Sequence, residues 1–169
     1  MVSDAILARL SLEVDLVFGV YGGAIAELWD AFTRSDLKYV CPMHEQAAGF
    51  MAEGYAKVRG FGVAMATSGP GGLNMVTAIA NCYYDSTPVL FITGQVQRQF
   101  IKQSPLVRQL GFQETDIVSI VKPITKYAET MMEPESVSEK LDFAIKTAKE
   151  GRPGPVLLDI PVDVQRTRL

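Results

Sequence analysis

Histidine appears once, tryptophan once and cysteine twice in 169 residues, and no apolar run reaches the ~18 residues that a transmembrane span requires. Each scarcity excludes something. A single histidine, His44, cannot build a histidine-rich metal site, and with no Gly-x-Ser-x-Gly elbow for it to serve as base, triad hydrolysis is disfavoured. Cys41 and Cys82 lie far apart without metal-type spacing, and a short secreted scaffold usually carries more cysteine, so a reducing cytoplasm fits. Basic excess is missing too. Sixteen Lys and Arg against nineteen Asp and Glu leave a net charge of −3, the wrong sign for gripping a phosphate backbone, which argues against a nucleic-acid partner. The chain opens without the charged, apolar and small-residue regions of a signal peptide, so a soluble protein with no membrane partner is expected. What the chain has in quantity is hydrophobic side chains, 48% of the total, enough for one core in a single domain over residues 1–169.

Periodicity supplies the elements. Residues 3–12 carry apolar side chains at helical spacing, with Ser3 or Asp4 placed to cap them. Residues 16–20 read as a short buried strand entering Gly22-Gly23 and a helix over 24–32. A second strand, 39–41, precedes a helix over 44–58 whose Ala47, Ala48, Ala52 and Ala56 permit close packing. A third strand, 62–67, runs through a glycine loop into a helix over 73–82, and 89–93 forms a fourth. Periodicity fails over 95–113, a polar stretch long enough to predict a functional or mobile excursion. A helix over 135–149 and a strand over 156–160 close the pattern. Strands alternating with helices predict an α/β fold of three α/β/α layers around a central, mainly parallel sheet.

Two stretches carry chemistry. Thr67-Ser68-Gly69-Pro70-Gly71-Gly72-Leu73-Asn74 is a glycine-rich turn from strand to helix, and amides at a helix N-terminus attract anions. Yet no Lys-Ser or Lys-Thr follows Gly72, which excludes a P-loop, and Leu73-Asn74 occupies the place of a dinucleotide fingerprint's last glycine. By itself the loop is a tight turn. His44-Glu45-Gln46-Ala47-Ala48 sets a carboxylate in the first turn of a small-residue helix, where it complements the macrodipole by roughly 0.3–1 kcal/mol. Together, one βα unit apart, the two stretches suit a heterocycle that needs a proton relay.

These stretches and several others, in one order, resemble the N-terminal pyrimidine-binding domain of thiamine-diphosphate enzymes of the acetolactate synthase and pyruvate oxidase group. The match runs from Val17-Phe18-Gly19 and Gly22-Gly23 through His44-Glu45-Gln46-Ala47-Ala48 and Ala52-Glu53-Gly54-Tyr55-Ala56 to Thr67-Ser68-Gly69-Pro70-Gly71 and Asn74. It continues through Ile92-Thr93-Gly94-Gln95-Val96, Phe112-Gln113-Glu114 and Ile124-Thr125-Lys126 to Gly151-Arg152-Pro153-Gly154-Pro155-Val156 and Asp159-Ile160-Pro161, and so covers nearly the whole chain.

The resemblance implies thiamine diphosphate as cofactor. The glutamate matching Glu45 bonds the pyrimidine nitrogen para to the exocyclic amine and favours the imino tautomer, which draws a proton from the thiazolium carbon. A carboxyl group suits this work because burial can raise its pKa towards neutrality. The resemblance further sets Gly22, Thr67, Pro70, Asn74 and Gln113 beside the pyrimidine or the nascent intermediate, and Phe112 and Lys126 along the substrate approach. Without the resemblance, Phe112 is a core residue and Lys126 solvates a strand end. Mg²⁺ and the diphosphate belong to a separate domain with a Gly-Asp-Gly start, which this sequence lacks, so the chain is expected to be part of a longer enzyme and inactive alone. The implied partners are a 2-oxo acid such as pyruvate, the diphosphate-binding domain, and a second copy in a homodimer or tetramer. The implied activity is a carboligase or decarboxylase. A thiamine oxidase, with FAD in the parent enzyme, or an acyl-CoA lyase would share every residue named, and a non-catalytic αβ dimerisation module remains a reading from another class.

Three departures from the acetolactate synthase pattern stand out. Val20-Tyr21 replaces Tyr-Pro, Gly72-Leu73 replaces Ala-Thr, and the chain is longer between Val96 and Phe112, where it carries Arg98, Lys102 and Arg108. This insertion, 97–111, reads first as a solvated surface loop. A second reading lets its basic residues meet an anionic acceptor such as a nucleotide-sugar or acyl-CoA diphosphate.

Overall fold

Six strands, β1 (Leu16–Gly19), β2 (Lys38–Val40), β3 (Gly62–Ala66), β4 (Val89–Gln95), β5 (Tyr127–Thr130) and β6 (Val156–Pro161), make one sheet in a computed structural model that describes residues 1–168. Every neighbouring pair is parallel, in the order β2-β1-β3-β4-β6-β5. Parallel strands need crossovers that cover both faces, and the central strands β3, β4 and β6 are accordingly buried along their whole length. Along β4 the pleat divides the core in two. Val89 and Phe91 pack on one face of the sheet, Leu90 and Ile92 on the other.

Helices α1 (Val2–Leu10), α2 (Ala26–Ala31) and α7 (Val137–Lys149) bury Ile6, Leu28 and Leu141 on the second of those faces. Helices α3 (Glu45–Arg59), α5 (Val76–Tyr84) and α6 (Ile117–Val121) bury Ala52, Ile79 and Ile117 on the first. The predicted three-layer α/β/α architecture is thus the one observed. Helix α3 starts where His44 Nδ1 accepts the Gln46 N–H at 3.2 Å, and it ends at Gly60, whose left-handed φ of 88° closes the last turn. Its small face does what small residues allow: a Cβ at Gly49 would stand 2.5 Å from that of Ala78, so α3 and α5 lie against one another.

Two stretches differ from the periodic reading. The helix predicted over 73–82 is broken in two, α4 (Pro70–Asn74) and α5, because Met75 donates its N–H to Gly72 O and ends the first piece as it starts the second. Between 114 and 134, where periodicity predicts nothing, lie α6, capped by the Asp116 carboxylate, and the edge strand β5. Strand β5 has only four half-buried residues, too few to set a period, and its pairing with β6 fixes it. A last short helix, α8 (Val162–Arg166), follows β6. Among the described residues no helix is long and apolar enough to cross a membrane.

Candidate functional site

From β1 the sheet extends to β2 on one side and to β3 on the other, so the loops leaving β1 and β3 diverge and open a crevice at the carboxyl ends of the strands. Gly22 leaves β1 and Thr67 leaves β3 at this point. The two are in direct contact. A Cβ on Gly22 would lie 2.3 Å from Thr67 Cβ, so only glycine lets the β1 loop rest on the Thr67 side chain, whose Oγ1 accepts the Ala24 N–H at 3.2 Å. Gly22 and Thr67 line a pocket of about 400 Å³ together with Phe112, Gln113, Val96 and Val162, and no charged side chain lines it.

Glu45 and Asn74 stand beside this pocket rather than in its lining. Asn74 Nδ2 donates to Glu45 Oε2 at 2.9 Å, joining the start of α3 to the end of α4. Glu45 Oε1 has no hydrogen-bond partner among the described residues, and a Cβ on Gly71 would come within 3.6 Å of it. The same Cβ would lie 2.8 Å from Thr67 Cγ2, so Gly71 is the bare surface between Glu45 and the pocket. Gly69, at φ 58° and ψ −120°, turns the chain into α4, and Pro70 occupies the first helical position, where its missing N–H costs nothing. A half-buried carboxylate with one oxygen held and the other free, beside a main-chain cradle, is a donor set that fits an aminopyrimidine.

The far wall is built by Val96, Phe112 and Gln113, which flank the insertion. Gln113 takes a left-handed φ of 61°, and its carbonyl would lie 2.7 Å from a Cβ on Gly69. Such a conformation costs a non-glycine residue about 1–2 kcal/mol and needs support. Glu114 gives it: the buried carboxylate accepts Lys102 N–H at 3.1 Å and Leu110 N–H at 2.8 Å, tying both ends of the excursion to the residue that follows Gln113. Arg98 is spent on structure as well. Its Nε and main-chain N–H meet the Asp163 carboxylate at 2.7 and 3.0 Å, and Nη1 donates to Met132 O at 2.8 Å. Lys102 Nζ donates to Arg108 O at 3.2 Å. The insertion is therefore an ordered arch with Phe100, Leu106, Leu110 and the neighbouring Phe112 facing outwards. Phe112 is 85% exposed, so it is not a core residue.

Asp159 belongs to a matching segment, Asp159-Ile160-Pro161, but the resemblance gives it no role. It lies on β6 with 1% exposure and accepts Thr93 Oγ1 at 2.7 Å, Gln95 Nε2 at 2.9 Å and Thr130 Oγ1 at 3.2 Å. Burial pushes its carboxyl up to about 7, against the downward pull of those three donors. A cavity of about 100 Å³ separates it from Glu114. An acid inside the otherwise aliphatic run Val156–Pro161 was the signal available.

Lys126 is not brought to this group. It enters β5 at the amino edge of the sheet, opposite the carboxyl edge that holds Gly22 and Thr67, and its Nζ donates to Glu150 O at 2.5 Å. Gly22, Thr67, Phe112 and Gln113 do line one pocket, with Glu45 and Asn74 bonded to each other beside it and Pro70 at the start of α4. Among the described residues no group of three or more His, Cys, Asp or Glu is placed to hold a metal ion.

Comparison with known proteins gives a consistent result. The sequence profile of the family described as thiamine pyrophosphate enzyme, N-terminal TPP binding domain, matches residues 1–120. A probable acetolactate synthase large subunit of Methanocaldococcus jannaschii is 42% identical over 165 residues, 96% of this chain and 27% of the relative. Acetolactate synthase 2, chloroplastic, of Nicotiana tabacum is 44% identical over 167 residues, covering 97% and 24%. An acetolactate synthase of Mycobacterium bovis is 46% identical over 165 residues, covering 96% and 26%. The chain spans about a quarter of the length of the curated relatives it matches.

Proposed function

Because the chain belongs to the thiamine pyrophosphate enzyme N-terminal domain family, we propose that it supplies the pyrimidine half of a thiamine diphosphate site in a longer carboligase or decarboxylase acting on a 2-oxo acid. The observation that carries the proposal is the Asn74–Glu45 contact, which ties up one carboxylate oxygen and leaves the other free. When bound, thiamine diphosphate supplies an electron sink for the carbon beside the substrate carbonyl.

The chain's own residues then have separate tasks. The Asn74 amide fixes the rotamer of Glu45, so that Oε1 is the atom that shares a proton with a ring nitrogen. Gly71 lets its turn rest on the Thr67 methyl beside that oxygen, and Gly22 and Thr67 line the pocket. Gln113, held by the Glu114 tie, lines the pocket, and Phe112 offers an exposed ring along the approach. The diphosphate and Mg²⁺ would be held by a second domain, as would FAD in a flavin-using parent. The uncharged lining and the commitment of Arg98 to Asp163 favour an uncharged acceptor over a diphosphate-bearing one.

Glutamine in place of Glu45 would keep a hydrogen bond but could not pass a proton. In the full-length enzyme carrying this domain, Glu45→Gln should slow deuterium exchange at the thiazolium carbon, followed by NMR, by about 10²-fold or more while the far-UV circular dichroism stays unchanged. Exchange at the parent rate would remove the assignment.

A further inference from the structure

The amino edge of the sheet carries a second pocket that the cleft does not use. It measures about 320 Å³ and is lined by Tyr83, Tyr84, Lys126, Arg152 and Pro153. Every one of these precedes a strand: the tyrosines end α5 ahead of β4, Lys126 precedes β5, and Arg152 and Pro153 precede β6. Since all six strands are parallel, the pocket lies at the opposite end of the sheet from Gly22 and Thr67.

Its chemistry is two-sided. Tyr84 is 70% exposed, and its ring meets that of Tyr83 edge-on at 5.7 Å, so aromatic surface is offered without a partner. Arg152 is oriented by a hydrogen bond from Nε to Ser86 Oγ at 2.7 Å, which leaves its terminal nitrogens free to donate. Lys126 spends one proton on Glu150 O, and its stem runs over Gly154, where a Cβ would stand 3.1 Å from Cδ. A neighbouring depression, lined by Lys122, Thr125 and Lys126, continues the basic strip. Among the described residues none of Lys122, Lys126 and Arg152 pairs with a carboxylate. The nearby acids are engaged elsewhere, Asp85 with Lys57 and Glu150 with Lys146.

We propose that this pocket binds a nucleoside diphosphate, with the base against Tyr83 and Tyr84 and the phosphates on Arg152 and Lys126. Aromatic rings stack any base, and guanidinium and ammonium groups are the side chains that hold phosphates. The volume lies at the lower end of the range for small-molecule sites, which suits one nucleotide. Three uncompensated cations on a chain of net charge −3 make this edge a local attractor for anions.

The test uses the 169-residue chain itself, titrated with ADP and followed by calorimetry and tyrosine fluorescence. Saturable binding of one ADP is expected, with adenosine and inorganic pyrophosphate each at least about tenfold weaker. Tyr84→Ala and Arg152→Gln should each weaken ADP by about tenfold or more, and Glu45→Gln should leave it unchanged. No saturable binding up to about millimolar ADP, the weak end of measurable affinity, overturns the proposal. So does pyrophosphate binding as tightly as ADP, or undiminished binding by Tyr84→Ala, whose exposed side chain can be removed without disturbing the fold. Loss of ADP in Glu45→Gln would move the nucleotide to the cleft and equally overturn it. None of these results depends on the thiamine reading, because the two pockets share no residue.

Discussion

Two acidic residues show how place decides what a carboxyl group does. Glu45 sits half-buried at a helix start with one oxygen free, whereas Asp159 is sealed in the sheet with three donors around it. For Asp159 the folded carboxyl, at about 7, lies above its ordinary 3.8. Below the ordinary value both folded and unfolded chains hold the proton. Between the two values the unfolded chain releases it while the folded chain keeps it, so stability falls as pH rises, and above about 7 the full cost of the buried charge is present. Asparagine has no proton to lose. The stability of Asp159→Asn relative to the parent should therefore rise between pH 4 and pH 7, by an amount on the order of a few kcal/mol. Urea unfolding of both proteins across this range is the measurement, and a difference that does not change with pH would contradict it.

Among the elements, the arch over 97–111 is the one whose character composition misrepresents. Its basic residues suggest a charged loop, yet Arg98 is tied to Asp163, and Phe100, Leu106, Val107 and Leu110 are exposed. Glu114 is the clasp. Glu114→Ala removes both acceptors of the Lys102 and Leu110 amides, each bond to a charged group being worth about 1.5–3 kcal/mol. Trypsin cleavage after Lys102 and Arg108 should accelerate strongly in that variant, while the circular dichroism of the sheet and helices is retained. Equal cleavage rates would mean that other contacts hold the arch.

The whole molecule keeps large apolar side chains on its exterior. Met43, Phe50 and Met51 flank or lie on α3, and Leu73 lies on α4, all of them exposed on the side of the chain that carries Glu45 and Asn74. Several large apolar side chains exposed on neighbouring helices suit an association site. We expect a homodimer built on α3 and α4, seen by light scattering at high concentration, with Phe50→Asp shifting the population to monomer. Only monomer in the parent at high concentration would refute it. The matched relatives are about four times as long as the segment they share with this chain.

Sequence alone determined the alternation of strands and helices, the two faces of the core and the proximity of a carboxylate to a glycine turn. Those features rest on local rules: side-chain period, helix capping and glycine's freedom at positive φ, as at Gly60 and Gly69. Tertiary structure alone decided the rest. Strand β5 exists because β6 offers it a ladder, and the break at Met75 is made by its N–H bond to Gly72 O. Asp159 and Glu114 matter through partners 66 and 12 residues away in sequence, contacts that no local pattern announces. Lys126 went to the amino edge because its place before a parallel strand fixes its end of the sheet, whatever motif surrounds it. Spacing along the chain names the groups, but the direction of the strands assigns them to one rim or the other.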